Sequence, residues 1–124
     1  MNELSAGKFV EKKSRFYAHL YTIDTIDDVD AILKKHRSLY KKANHHCYAC
    51  ILKESHSCYE KHQDDGEVGH PGKVLFELLK SNRLNHHVIM VSRIFGGIKL
   101  GVGGVSKAFK EAGSATIKHY INKK

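Results

Sequence analysis

The sequence predicts an α+β domain in which a sheet is backed by helices, and three observations carry that prediction. Apolar residues repeat with period two in some segments and at helical spacing in others, in the order β-β-α-β-(β)-α-β-α. The 124 residues contain one proline, no internal repeat and no low-complexity tract, so nothing marks a linker. An apolar fraction of 41% and a charged fraction of 27% belong to an ordinary globular chain that buries a core without metal or disulfide.

The elements follow in order. A short strand is expected at residues 8–10. In SRFYAHLYT, Phe16, Ala18 and Leu20 share one face while Arg15, Tyr17, His19 and Tyr21 share the other, the mark of a strand with one face on the core. Thr25 followed by Asp28 resembles a capping box, and Val29, Ile32, Leu33, His36 and Tyr40 recur at helical spacing, so a helix is predicted over residues 26–42. Its Asp-rich start and Lys-rich end suit the helix dipole. HCYACILK, residues 46–53, reads as a buried strand, and SHSCYEKHQDDGE as a loop with room for a short strand. Pro71 stands where an N1 proline belongs, ahead of a helix ending near Asn82. HHVIMVSRIF reads as an interior strand. After a glycine turn, Val105, Ala108, Phe109, Ala112, Ala115, His119 and Tyr120 outline a final helix.

Charge and cysteine usage narrow the class. No apolar stretch reaches the ~20 residues of a membrane span, and MNELSAGKFVEKK lacks the apolar core of a secretory signal, so a cytoplasmic address and no membrane partner are expected. Cys47, Cys50 and Cys58 are expected as free thiols, an odd number that suits a reducing compartment. The net charge of +8, which protonation of ten histidines would raise further, suits a polyanionic partner or simply keeps the chain in solution.

Several clusters are candidates for chemistry. Eight His and Cys residues lie between His45 and His70, but in a strand Cys47 and Cys50 face opposite sides, so no zinc site or other metal or cofactor is expected. Cysteine catalysis lacks any sign of a lowered thiol pKa, and small buried thiols with surface histidines are the plainer reading. Asp64, Asp65 and Glu67 surround Gly66, and they suit an acid/base pair, a weak cation site or, preferably, an ordered loop. RIFGGIKLGVGG puts five of the chain's ten glycines into twelve residues, Gly96, Gly97, Gly101, Gly103 and Gly104. The Walker A and Rossmann patterns both fail here, because Gly104 leads into Val105-Ser106-Lys107. What remains is a strand, a glycine turn and a helix N-terminus. There the N–H groups of Gly103, Gly104 and Val105, with Arg93, Lys99 and Lys107, would cradle a phosphate. An awkward crossover of the chain explains the glycines equally well.

Lys13-Ser14-Arg15-Phe16, Ala43 to Ala49 (ANHHCYA), Asp64-Asp65-Gly66-Glu67, and Arg93 to Gly101 with Gly103-Gly104 together resemble the segments of the YigZ/IMPACT family's shared domain, over nearly the whole chain. The acidic motif departs from the family pattern, running one residue shorter through Val68-Gly69-His70-Pro71. The resemblance implies a single domain over residues 1–124, without the amino-terminal interaction domain of eukaryotic members or the carboxy-terminal ferredoxin-like domain of bacterial ones. It implies a two-layer mixed sheet backed by helices with a left-handed βαβ crossover. That fold is shared by the second domain of a small-subunit ribosomal protein, domain four of elongation factor G and the GHMP kinases. It also implies a link to translation.

Three functions follow from these readings. In the first, a basic surface of Lys12, Lys13, Arg15, Arg93, Lys99, Lys107 and Lys110, with exposed Tyr17 or Tyr21, binds RNA or a ribosomal site. In the second, an enzyme holds a small phosphorylated or acyl substrate at the glycine turn, with Asp64, Asp65 or Glu67 as acid or base. In the third, the same basic face engages a protein partner in translation control.

Overall fold

Strand β1 (Asn2–Glu11) turns back into β2 (Ser14–Thr22) through a two-residue hairpin in which Lys12 and Lys13 both take left-handed dihedrals. Helix α1 (Asp27–Leu39) follows, then β3 (His45–Lys53), β4 (Cys58–Gln63), α2 (Pro71–Ser81), β5 (His87–Ile94) and α3 (Gly101–Asn122). The computed structural model describes residues 1–123. The five strands form one sheet in the order β1-β2-β5-β3-β4, and every neighbouring pair is antiparallel. The sheet is thus antiparallel rather than mixed, and parallel relations fall only between strands two apart. Because β2 and β3 both run antiparallel to β5, they run parallel to each other across it, joined by α1.

Packing explains why β5 and β3 read as unbroken apolar runs. Phe16, Ala18, Leu20, Cys47, Ala49, Ile51, Ile89 and Val91 meet Leu75, Leu79, Val105, Phe109 and Ile117 of α2 and α3 on one face. Phe16 and Phe109 stack edge to face at its centre, 5.1 Å between centroids. On the other face Tyr21, Tyr48, Cys50, Val88 and Met90 lie under Val29 and Ile32 of α1. The expected second layer of helices is α2 and α3, and α1 adds a partial third layer, since the central strands are apolar on both sides.

Three boundaries differ from the sequence reading for local reasons. Strand β1 starts at Asn2 rather than residue 8, because an edge strand that leaves most side chains in solvent carries little alternation. Helix α1 is trimmed to Asp27–Leu39. Only half of its capping box forms, with the Asp28 carboxylate accepting the N–H groups of Asp24 and Thr25. Helix α3 starts at Gly101, so Gly103 and Gly104 belong to its first turn rather than to the loop before it. None of the helices among the described residues is long and apolar enough to cross a membrane.

The α1 face carries a buried polar chain. His36 is wholly buried, with Nε2 against the Tyr21 hydroxyl at 2.8 Å and Nδ1 against Ser92 Oγ at 3.0 Å, and Ser92 Oγ also meets His46 Nδ1 at 2.7 Å. Beside it His19 donates to the Glu3 carboxylate and meets the Tyr40 hydroxyl. Burial, reinforced by the nearby charges of His19, His46 and Lys35, pushes the His36 pKa down to about 3. An unfolded histidine takes up a proton below about pH 6.5, whereas folded His36 refuses it until about pH 3. The unfolded state therefore binds the extra proton in that window, and stability falls as pH falls. Denaturant unfolding at pH 7 and pH 5 should show His36 costing about 2 kcal/mol at the lower pH. A His36→Gln variant should lose that part of the slope, and an unchanged slope would contradict the assignment.

Candidate functional site

The end of β5 is held by an ion pair. Arg93, 6% exposed, extends onto the α2–α3 face, where its Nη1 donates to Glu67 Oε2 at 2.8 Å. Its Nη2 donates to Ser14 Oγ at 3.3 Å, its guanidinium lies over the rings of Phe16 and Phe95, and its buried Nε has no hydrogen-bond partner. Glu67 is as buried as its partner and spends its other oxygen, Oε1, on the N–H of Val68.

The rest of the acidic loop is fastened on three sides. Asp64 Oδ1 accepts the N–H of Gly72 at 2.8 Å in the first turn of α2. Asp65 Oδ2 accepts the N–H of His46, and its carbonyl accepts from His45 Nδ1, which ties the loop to β3. On the α3 side Ser106 donates to the Gly69 carbonyl at 2.6 Å, and a side chain at Gly69 would collide with the Val102 carbonyl. The loop is therefore ordered, as its sequence suggested, and its carboxylates hold it together. Cys47 donates from its thiol to the Asp64 carbonyl. Burial first, then the charges of Glu67, Asp65 and Asp64, push that thiol's pKa well above its ordinary value, so it stays protonated. Cys47 and Cys50 lie on opposite faces of the sheet.

The glycines divide by role. Gly96 crosses the β1–β2 hairpin so closely that a Cβ would sit 2.1 Å from the Lys13 carbonyl carbon, and its N–H donates to Ser14 Oγ. Gly97 and Gly101 have φ of 89° and 77° and make the turn. Gly103 is different: its surroundings are open and its φ is not positive, so neither packing nor dihedral calls for a glycine. With α3 starting at Gly101, the first-turn N–H groups without intrahelical acceptors are those of Gly101, Val102 and Gly103, rather than Gly103, Gly104 and Val105.

Around this junction lies a cavity of about 470 Å³ lined by Asn44, His45, Val68, Arg93, Phe95, Lys99, Leu100 and the start of α3. Leu100 also borders a second cavity of about 210 Å³, where Lys12 and Lys107 meet beside Gly104. Lys13 shares the hairpin with Lys12, and Lys110 follows Lys107 one turn along α3. Arg15 lies elsewhere, facing the α1 side with Tyr17, Tyr40, Lys41 and Lys42 in a third cavity. The single basic surface expected from the sequence is thus split by the sheet, because Arg15 and Phe16 point to opposite faces. Arg93 is not a free surface cation. Tyr21, expected to be exposed, is buried against His36, and Tyr17 is half-buried and stacked on Tyr40. Within the His45–His70 cluster His56, His62 and His70 are exposed and His45 and His46 half-buried, while His19 and His36, outside it, are buried.

The sequence reading had no role for Ser14 or Asn44. Ser14 is fully buried and its hydroxyl joins Arg93 to Gly96, while Asn44 Oδ1 accepts the N–H of Phe95 at 2.8 Å. Both lie within segments noted for their family resemblance, which was the one signal available.

Fold and site together define an α+β domain with a cavity at the N-terminus of a helix, walled by Phe95, Leu100 and Val102 and edged by Lys99. Residues 12–117 match the Impact N-terminal domain family, and the chain belongs to the IMPACT family. It is 34% identical over 120 residues to the IMPACT family member YvyE of Bacillus subtilis, covering 96% of this chain and 55% of that protein. The chain spans about half the length of the curated relatives it matches. A solved structure described only as a hypothetical protein superposes with a TM-score of 0.85 at 29% identity, over 92% of this chain and 56% of the other. The two-domain translational regulator Yih1 shares the fold, with a TM-score of 0.64 at 24% identity over 97% of this chain and 46% of that one.

Three predictions test the site's construction. Glu67→Gln leaves Arg93 as a buried, uncompensated charge and should cost about 3 kcal/mol or more in denaturant unfolding. Gly96→Ala should destabilise by at least 1–3 kcal/mol through its clash with the hairpin backbone. Gly103→Ala, in open space within a helix, should instead stabilise by up to about 1 kcal/mol.

Proposed function

We propose that this chain is an RNA-binding module of a protein that acts in translation control, and that it docks through the end of the sheet where the glycine segment lies. The observation that carries this reading is the distribution of charge along the strands. The β1–β2 hairpin, the start of β3, the end of β5 and the N-terminus of α3 share one end of the molecule. That end carries Lys12, Lys13, Arg15, Lys41, Lys42, Lys99 and Lys107. Asp24, Asp27, Asp28 and Glu54 lie at the opposite end, where β2 finishes and α1 begins, together with Lys53, Lys80 and Arg83, while Glu11, Asp64 and Asp65 share the glycine end, which still keeps the larger excess of cations. Such an arrangement orients a polyanion toward the glycine end. Membership of the IMPACT family supports the link to translation. Exposed Val68, Ile98 and Val102 beside these cations favour a second reading, a protein partner in translation control.

Fluorescence anisotropy with a short RNA tests the first reading. If about four phosphates are neutralised on a single strand, affinity should fall roughly 50-fold between 50 and 200 mM salt. Lys99→Glu with Lys107→Glu should flatten that slope and weaken binding at least about tenfold at low salt. Affinity independent of salt, or a variant that binds like the wild type, would overturn the RNA reading. Capture of a protein partner that survives ribonuclease, with no RNA binding, would establish the second.

A further inference from the structure

Four features of the α3 junction are not explained by holding the fold together. The cavity of about 470 Å³ presents an exposed aromatic ring, Phe95, across from Val102, which is 61% exposed in the first turn of α3. Arg93, more than nine-tenths buried, contributes to its wall, and its Nε, itself shielded from solvent, has no hydrogen-bond partner among the described residues. Asn44 commits its Oδ1 to the Phe95 N–H, and its amide N–H₂ carries no hydrogen bond among the described residues. Gly103, which neither its φ nor its packing requires, keeps the outer face of that turn free of side chain at a cost to the helix of about 1 kcal/mol relative to alanine.

We propose that this cavity takes one unpaired nucleotide of an RNA strand, a reading that rests on the RNA-binding function proposed above. The base enters the cavity and stacks on Phe95, whose other neighbour is the Arg93 guanidinium, 5.7 Å from the ring centre. The Asn44 amide donates to an acceptor on the base edge. The adjoining phosphates cross the N-terminal turn of α3, where the N–H groups of Gly101, Val102 and Gly103 and the Lys99 ammonium meet them. Beyond Leu100, which borders both cavities, the strand continues to Lys12 and Lys107.

Each component narrows the ligand. A bare phosphate would need no aromatic wall and no cavity of this volume. An apolar peptide would leave Lys99, Lys12, Lys107 and the helix N-terminus without counter-charge. A duplex keeps its bases stacked and cannot place one beside Phe95. The ligand that fits all the parts has a planar, hydrogen-bonding group attached to a repeating anion.

The test compares a fluorescein-labelled 12-nucleotide single-stranded RNA with the same strand in a duplex, at one salt concentration, on the intact chain. Wild type should prefer the single strand at least about tenfold. Phe95→Ala should lose roughly 5- to 150-fold on the single strand and leave the duplex unchanged. Val102→Glu, an exposed change at the cavity wall, serves as a second variant whose folding does not depend on the Phe95 ring, and it should lose single-strand binding as well. Equal binding of both RNAs, unaffected by Phe95→Ala and Val102→Glu yet lost in Lys99→Glu with Lys107→Glu, would overturn the nucleotide cavity and leave the RNA-binding function standing. Failure of wild type to bind either RNA would overturn both.

Discussion

The buried ion pair between Arg93 and Glu67 is the constraint on which the rest of the site depends. A guanidinium and a carboxylate removed from water repay their desolvation only when geometry and further hydrogen bonds are good. Here Ser14, the N–H of Val68 and two aromatic rings supply the support. The pair joins a loop between β4 and α2 to the end of the central strand β5, 26 residues further along the chain. With the loop fixed, Asp64 anchors the start of α2, Asp65 anchors the start of β3, and Gly69 rests on α3. Four elements thus meet around one neutralised pair. The cavity above it owes its walls to that meeting.

The carboxylates and the glycines answer each other across this junction. One oxygen each of Asp64 and Asp65 accepts a backbone N–H and Glu67 pairs with Arg93, so the acidic residues brace the loop. Rigidity matters for binding because a preorganised cavity avoids the entropic cost of ordering its walls when a ligand arrives. Gly96 lets the strand end pass over the hairpin backbone, and Gly97 and Gly101 turn the chain into α3. On the opposite face the chain of Tyr21, His36, Ser92 and His46 fills a space where α1 offers too little apolar surface to seal the sheet. Burial keeps His36 neutral and lowers the pKa of half-buried His46. It reaches the site through His46, whose backbone N–H is held by Asp65.

What the sequence revealed follows from how local each signal is. The alternation of Phe16, Ala18 and Leu20, the N1 position of Pro71 and the run VIMV around Ile89 are properties of single elements, and those elements stand where they were expected. Strand β1 was mostly hidden because its stability comes from pairing with β2 rather than from a buried face. Tyr21 was assigned to solvent on the assumption that β2 buries one face only, an assumption that α1 breaks. The start of α3 was missed because glycines signal turns, whereas Gly103 and Gly104 are held in a helix by the residues after them. Within the site, the residue types were legible and their pairings were not. Nothing near Arg93 in the sequence announces Glu67, and nothing in KSRF announces that Ser14 closes the network while Arg15 leaves for the other face.

The central claim is that the Arg93–Glu67 pair holds a binding cavity for RNA at the start of α3. Backbone and side-chain amide NMR shifts, followed as a short single-stranded RNA is titrated into the protein, test it most directly. The account predicts that the largest shifts fall on Phe95, the Asn44 side-chain amide and the N–H groups of Gly101 to Gly103, with smaller ones at Lys12 and Lys107. Shifts confined to the groove of Arg15, Tyr40, Lys41 and Lys42, with the α3 junction unmoved, would contradict it.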